Sequence, residues 1–374
     1  MKLECLADAS APFDLTRPNQ PFACASSRRE FLKWMTAVSM STLLAPNWSS
    51  TQIQRPTGSP KASRIDVHHH ILPPNYMLRA RDRILAISDR DHSRLLNWTP
   101  AAAVEEMDKA GIATAITSLG LPGVWFGGAK AARSLARSCN EYAAKMVRDY
   151  PGRFGFFAAV PLPDQEASLR EAEYALDVLR ADGIALVSSY DNKWPGDPTF
   201  ARVFEEMNHR EAVVFIHPAV PGCCDHLMPY IPTSTIEFLF DTTRAITSLL
   251  VNGTFSRFPK IRFIFCHAGG TMPMLAGRTA AFVQRHKEIA DRLTNGVAFE
   301  LRKLYYDVAN STNPASMAAL MNLVPTSQML FGSDFPYVKP ELTAAGLDHF
   351  GLPPAELQAI NRENATHLFP RLRV

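Results

Sequence analysis

The side chains with a chemistry of their own are histidines and one aspartate, and each stands at the end of a short apolar run. His68-His69-His70 follows Ile65-Asp66-Val67, and His217-Pro218 follows Ala212–Ile216. His267-Ala268-Gly269-Gly270 follows Ile261–Cys266, and Gly332-Ser333-Asp334-Phe335-Pro336 follows Gln328–Phe331. In an extended strand alternate residues share a side, so His68 and His70 point together while His69 points away as a packing or supporting group. Two imidazoles so placed can grip one divalent ion, with His217 and Asp334 completing the set. Imidazole and carboxylate suit zinc best and tolerate manganese or iron. An ion held this way polarises a bound oxygen or lowers the pKa of bound water. The run Ile184–Ser189 has no Lys, Glu or Cys that could bridge two ions, which points to a single metal.

These residues need a scaffold that brings strand ends together. Beyond residue 62, apolar runs at Ile65–His68, Ile112–Ser118, Phe154–Val160, Ile184–Ser188, Ala212–His217, Ile261–Cys266, Tyr305–Ala309 and Gln328–Phe331 alternate with amphipathic segments. Short, nearly all-apolar strands are those of a parallel sheet buried on both faces. Eight such units predict a (β/α)8 TIM-type barrel, in which active residues sit at the C-terminal strand ends. The competing open doubly wound sheet would carry a glycine-rich phosphate loop after its first strand, and none is present. Thr99-Pro100 reads as the N-cap and first residue of a helix that Gly111 stops. Other predicted helices cover Ala129–Tyr150, Gln165–Ala181, Thr199–Arg210, Thr235–Phe258, Pro273–Leu293 and Pro314–Leu323, with closing helices from Pro353. Asn75–Trp98 reads as a long polar excursion.

Composition narrows the class. The chain is 47% hydrophobic and 20% charged, which excludes global disorder. A net charge of +3 is too small to suggest nucleic acid or a membrane surface as partner. No apolar run approaches the length of a membrane span. All eleven histidines lie after residue 64. Before them, Ser27-Arg28-Arg29-Glu30-Phe31-Leu32-Lys33 matches the twin-arginine export pattern; a weakly apolar run and a Pro/Ser/Thr-rich stretch to Pro60 follow. The expectation is an export signal with linker over 1–60, one catalytic domain over 61–374, and a periplasmic or exported product. Cys139, Cys223, Cys224 and Cys266 are expected as free thiols, since the adjacent pair bonds only with strain.

Together, Ile65–Pro73, Ile216-His217-Pro218, Cys266–Gly270 and Phe331–Pro336 resemble the amidohydrolase superfamily, in its aminocarboxymuconate-semialdehyde decarboxylase-like branch. Trp98-Thr99-Pro100, Cys139–Ala144, Phe154–Ala158 and Phe255–Pro259 are similar to the 6-methylsalicylate decarboxylases in particular. The resemblance implies a metal-dependent, non-oxidative decarboxylase of a small aromatic carboxylic acid. The same set of ligands also permits a hydrolase, such as a lactonase or carbon–carbon bond hydrolase. It implies His68, His70, His217 and Asp334 as metal ligands, Asp334 also as a proton relay, and His267 as general acid/base. It further implies that Arg278 reaches a partner subunit's site to pair with substrate carboxylate, which predicts a homodimer. Weaker candidates are Glu237, the Asp241/Arg244 pair expected as an i, i+3 helix contact, and Trp194 and His226 in rim loops. Tyr306 and Asp307 are expected in the core and in barrel-end hydrogen bonding.

Overall fold

The computed structural model describes residues 63–87, 92–224, 227–228 and 230–372. The twin-arginine motif, its linker and His226 lie outside them. Eight strands run in chain order around one parallel sheet: β1 (Arg64–His70), β2 (Ile112–Ser118), β3 (Phe154–Ala159), β4 (Gly183–Val187), β5 (Val213–His217), β6 (Arg262–Phe265), β7 (Tyr305–Asp307) and β8 (Met329–Leu330). The sheet closes where the chain after β8 meets β1: Val67 N donates to Phe331 O at 3.0 Å and His70 N to Phe335 O at 2.6 Å. This is the TIM-type barrel that the alternation of runs predicts.

Two apolar clusters account for the burial that drives this closure. Ile65, Val67, Ile116, Phe157, Phe215, Ile264 and Leu330 come from six strands and pack together inside the barrel, with Phe157 stacked on Phe215 at 5.0 Å. C-terminal Leu368, Phe369 and Leu372 join them. The larger cluster lies between the outer strand faces and the surrounding helices. Those helices include α1 (Pro74–Ile87), α2 (Pro100–Lys109), α3 (Ala129–Asp149), α4 (Gln165–Glu173), α5 (Ala201–His209), α6 (Thr233–Val251), α7 (Met272–Gln284), α8 (Gly296–Arg302), α9 (Pro314–Leu323) and α10 (Pro340–His349). The Thr99 hydroxyl caps α2 by accepting from Ala102 N at 3.1 Å, as the Thr-Pro pair predicts.

The helices depart from expectation at breaks and at three omissions, α1, α8 and α10. The excursion expected over Asn75–Trp98 is largely helical, in α1 and a short turn at Ser93–Leu96. The helix expected to run to Phe258 stops at Val251, because Gly253 takes a φ of 70° and starts a new turn at Thr254. The helix expected to reach Leu293 ends at Gln284, and α10 precedes the closing helices. Cys139, Cys223, Cys224 and Cys266 are free thiols.

Candidate metal centre

β1, β5 and the turn after β8 bring four side chains to one point. The ligand atoms of His68, His70, His217 and Asp334 all lie within 4.8 Å of one another. The Nε2 atoms of His68 and His70 are 3.1 Å apart, and Asp334 Oδ1 lies 3.4 Å and 3.2 Å from them. His69 turns away, as strand alternation requires. It stacks on Phe335 at 4.8 Å and meets Asp66 Oδ2 through Nδ1 at 3.0 Å.

Each cage histidine is anchored through its other nitrogen. His68 Nδ1 lies 2.9 Å from Asp307 Oδ2, His217 Nδ1 donates to Pro218 O at 2.8 Å, and His70 Nδ1 lies 3.3 Å from Ser118 Oγ. With Nδ1 engaged, Nε2 is the nitrogen turned to the centre, the arrangement that orients imidazoles toward a cation. Burial pulls the pKa of His70 down and that of His217 well below the ordinary histidine range, so both are neutral donors at neutral pH. On His68 burial also disfavours charge, but Cys266 and Asp307 oppose it and raise the pKa well above the usual value. The Cys266 thiol is itself pushed up by burial, which leaves the Asp307 carboxylate as the acting anion. Burial would raise Asp334, but hydrogen bonds from His267, His68 and His70 hold it well below the carboxylate range. Three imidazole nitrogens facing a carboxylate are a donor set that fits one divalent ion.

The supports of this cage were less visible in sequence than the cage itself. Asp307 is fully buried and bonds three groups: His68 Nδ1, His267 N at 3.0 Å and Ala309 N at 3.0 Å. Barrel-end hydrogen bonding was expected of it; its partners are a cage histidine and His267. Asp66 receives His68 N at 3.0 Å, Ser333 N at 3.0 Å and Ser333 Oγ at 2.5 Å, tying β1 to the turn that carries Asp334. Asn310, in the left-handed region at φ 54°, donates through Nδ2 to Asp334 Oδ2 at 2.8 Å. Asp334 thus turns Oδ1 to the cage and Oδ2 to Asn310 and His267.

Asp307→Asn is expected to weaken metal affinity about 10–100-fold, the usual cost of losing an outer carboxylate on a ligating histidine. The amide oxygen can still accept both backbone bonds, which converge on Oδ1, but the NH2 that replaces Oδ2 no longer holds the His68 imidazole as a carboxylate does. Titration of the metal-free protein with Zn2+ or Mn2+ checks this, and unchanged affinity would remove Asp307 from the site.

His267 follows β6 in a run of left-handed residues, with φ values of 54°, 57°, 74° and 66° from His267 to Gly270. Gly270 is obligatory there, because a Cβ would stand 2.1 Å from Leu239 O of α6. His267 Nε2 lies 3.5 Å from Asp334 Oδ2. Its Nδ1 is buried and has no hydrogen-bond partner among the described residues.

The remaining candidates fall elsewhere. Asp241 makes the expected i, i+3 contact with Arg244, at 3.8 Å, and is fully buried. It also accepts from Ser188 Oγ, from Ser189 Oγ at 2.9 Å and from Trp194 Nε1 at 2.7 Å. Glu237 lies 3.8 Å from Arg244 as well. Ser188 in turn receives Ala219 N at 2.6 Å, so this group braces the β4 and β5 ends. Tyr306 is core, its hydroxyl donating to Leu301 O at 3.0 Å. Arg278 is exposed on α7 and does not line the cavity of its own chain.

That cavity, of about 340 Å³, opens over the cage. His217, His267 and Asp334 form its polar floor with Asn310, and Leu121, Phe238, Leu239, Tyr337 and Val338 supply apolar wall. It has the size and mixed lining of a small-ligand site.

Comparison with known proteins agrees with this geometry. The family model described as amidohydrolase matches residues 65–371. Decarboxylase yanB of Aspergillus niger is 35% identical over 329 residues, spanning 83% of this chain and 88% of the relative. A 6-methylsalicylic acid decarboxylase of Penicillium expansum is 34% identical over 318 residues, spanning 83% and 97%. Among solved structures, a dihydroxybenzoic acid decarboxylase from Polaromonas sp., with bound manganese and the inhibitor 2-nitroresorcinol, shares the fold. Its TM-score is 0.71 at 21% identity, over 83% of this chain and 98% of that one. On the strength of the family match and of relatives above 30% identity, the chain belongs to the amidohydrolase family, in the branch that holds these decarboxylases.

Proposed function

We propose that the protein is a metal-dependent, non-oxidative decarboxylase of small hydroxylated aromatic acids. The observation that carries this reading is a buried cage of three imidazoles and a carboxylate on the floor of a ring-sized cavity, with His267 beside it. The decarboxylase relatives support the reaction class, and the manganese in the Polaromonas structure supports a divalent ion, zinc or manganese.

Replacing an aryl carboxylate by hydrogen requires a proton at the ring carbon as the carbon–carbon bond breaks and CO2 departs. His68, His70, His217 and Asp334 would hold the ion, which supplies positive charge to fix the acid's carboxylate and ortho-hydroxyl in one orientation. Phe238 and Leu239 bound the space for the ring on one side and Leu121 and Tyr337 line it elsewhere, limiting water. Asp334 Oδ2 and His267 Nε2 face each other at 3.5 Å, close enough to exchange a proton after a small adjustment. One of this pair delivers the proton to the ring, and the other replenishes it.

The test is product analysis with purified protein reconstituted with Zn2+ or Mn2+. Salicylate, 6-methylsalicylate and 2,6-dihydroxybenzoate are offered, and release of CO2 with the matching phenol is expected from at least one. Absence of turnover across the panel rejects the proposal. Oxygen from labelled water appearing in an organic product would identify a hydrolase instead.

A further inference from the structure

Two thiols stand side by side on the segment that leads from the cage residue His217 to α6. Cys223 is exposed and Cys224 buried, and their Sγ atoms are 2.7 Å apart. The turn that carries them is tied, since Cys224 N donates to Pro221 O at 2.9 Å. A cation attends the pair: Arg244 Nη2 of α6 lies 3.8 Å from Cys224 Sγ. Arg244 Nη1 is buried, makes no hydrogen bond among the described residues, and lies 3.8 Å from both Glu237 and Asp241. Partial exposure beside a guanidinium is the setting in which a thiol reacts, whereas a thiol sealed in apolar surroundings is inert. Cys139 and Cys266 are of the second kind: both are buried, and burial pushes the Cys139 thiol up to about 12 and raises Cys266 as well. No step of the decarboxylation uses Cys223 or Cys224.

We propose that Cys223 and Cys224 form a reversible dithiol–disulfide site for hydroperoxides, separate from the metal cage. The Cys223 thiolate attacks the terminal oxygen of the peroxide. A sulfur–oxygen bond forms, the oxygen–oxygen bond breaks, and the leaving oxygen takes up the proton that the thiol released. Sulfur is oxidised to a sulfenic acid and the peroxide is reduced. Cys224, which its hydrogen bond with Cys223 and burial keep protonated, then displaces the hydroxyl from Cys223. The sulfur–sulfur bond forms, the sulfur–oxygen bond breaks, and water departs with the Cys224 proton. Two thiols and one hydroperoxide thus give a disulfide, an alcohol and water. The small ring that adjacent cysteines must close is strained, so a dithiol readily reduces it again.

The experiment treats full-length protein, reduced and freed of reductant, with hydrogen peroxide. The product is alkylated with N-ethylmaleimide in denaturant and mapped by mass spectrometry. The peptide that holds Cys223 and Cys224 is expected to lose two hydrogens and take no label, while Cys139 and Cys266 remain labelled. Dithiothreitol is expected to restore both labels. Oxygen added to that peptide in place of the lost hydrogens overturns the proposal, as does a bond from Cys223 to Cys5, Cys24 or a second molecule. Survival of both thiols after a buried thiol has oxidised overturns it too. Cys224→Ser is expected to turn the loss of hydrogens into gain of oxygen at Cys223, and a Cys223 left untouched in that variant would remove it as the attacking thiol. Phenylarsine oxide, which closes on paired thiols, reads the same geometry without an oxidant. One equivalent is expected to bind at this pair in the reduced protein, and Cys224→Ser is expected to abolish that binding. No arsenical bound there in the reduced protein would overturn the pairing. None of these readouts depends on decarboxylation.

Discussion

His267→Ala is expected to lower kcat for aromatic-acid decarboxylation by about 10²–10⁴-fold, the range of a lost general acid or base, while the protein keeps its metal. The geometry separates the two effects. His267 is not one of the four residues whose donor atoms share the cage. Its bond to Asp307 runs through the backbone N at 3.0 Å and survives any side chain. Its ring meets the site through Nε2, facing Asp334 Oδ2 across 3.5 Å. The backbone at φ 54° suits histidine better than alanine, so His267→Asn, which tolerates that conformation while lacking an imidazole, is the companion variant. Both variants should therefore fold and bind metal with near-native stoichiometry and both should be slow. Metal content by atomic emission, beside kcat, decides the matter: loss of the ion in both variants would make His267 a ligand, and near-native kcat would remove it from catalysis.

Asp334→Asn is expected to do more damage, because one carboxylate serves two directions. Oδ1 faces His68 and His70, while Oδ2 accepts from Asn310 Nδ2 at 2.8 Å and faces His267. An asparagine cannot satisfy both. With its oxygen toward the cage, its NH2 opposes the Asn310 amide; rotated, it presents NH2 to the metal. Metal affinity should fall by at least the roughly 100-fold that loss of a mere supporting partner can cost. At saturating metal, kcat should still fall about 10²–10⁴-fold if the same group handles the proton. Titration with Mn2+ followed by steady-state assay at saturation separates the two losses. Full activity in the saturated variant would leave Asp334 as a ligand alone, and wild-type affinity would remove that role.

The cage was readable in sequence because strand geometry is periodic and barrels expose their strand ends on one rim. The spacing of His68 and His70 sufficed to place them on one side and His69 on the other. The supports are harder to see because their partners are remote in the chain. Asp307 follows two tyrosines in an ordinary-looking strand and finds His68 from 239 residues away. Asp241 sits three residues from Arg244, a spacing that shows their contact, but its nearest partners come from the segment after β4 and are invisible to spacing. The missed helix α1 buries only Tyr76, Ala80 and Ile84, a stripe one residue wide that polar neighbours mask. Lengths of helices erred where a glycine enters the left-handed region, as at Gly253, since periodicity continues across a break that backbone conformation imposes.

The seam between β1 and the turn after β8 has a consequence for how the molecule comes into being. Asp66 and Ser333 are 267 residues apart, and their bond joins the pieces of chain that carry His68 with His70 and Asp334. Contacts of such separation are the slowest to form, because the entropy of closing so large a loop is lost before anything is gained. A nascent chain therefore has no complete cage until its last strand has left the ribosome, and a metal ion cannot template the fold from its beginning. It acts instead as a late clasp: once bound, it holds the two ends of the barrel shut and shifts the balance toward the closed form in proportion to its own affinity.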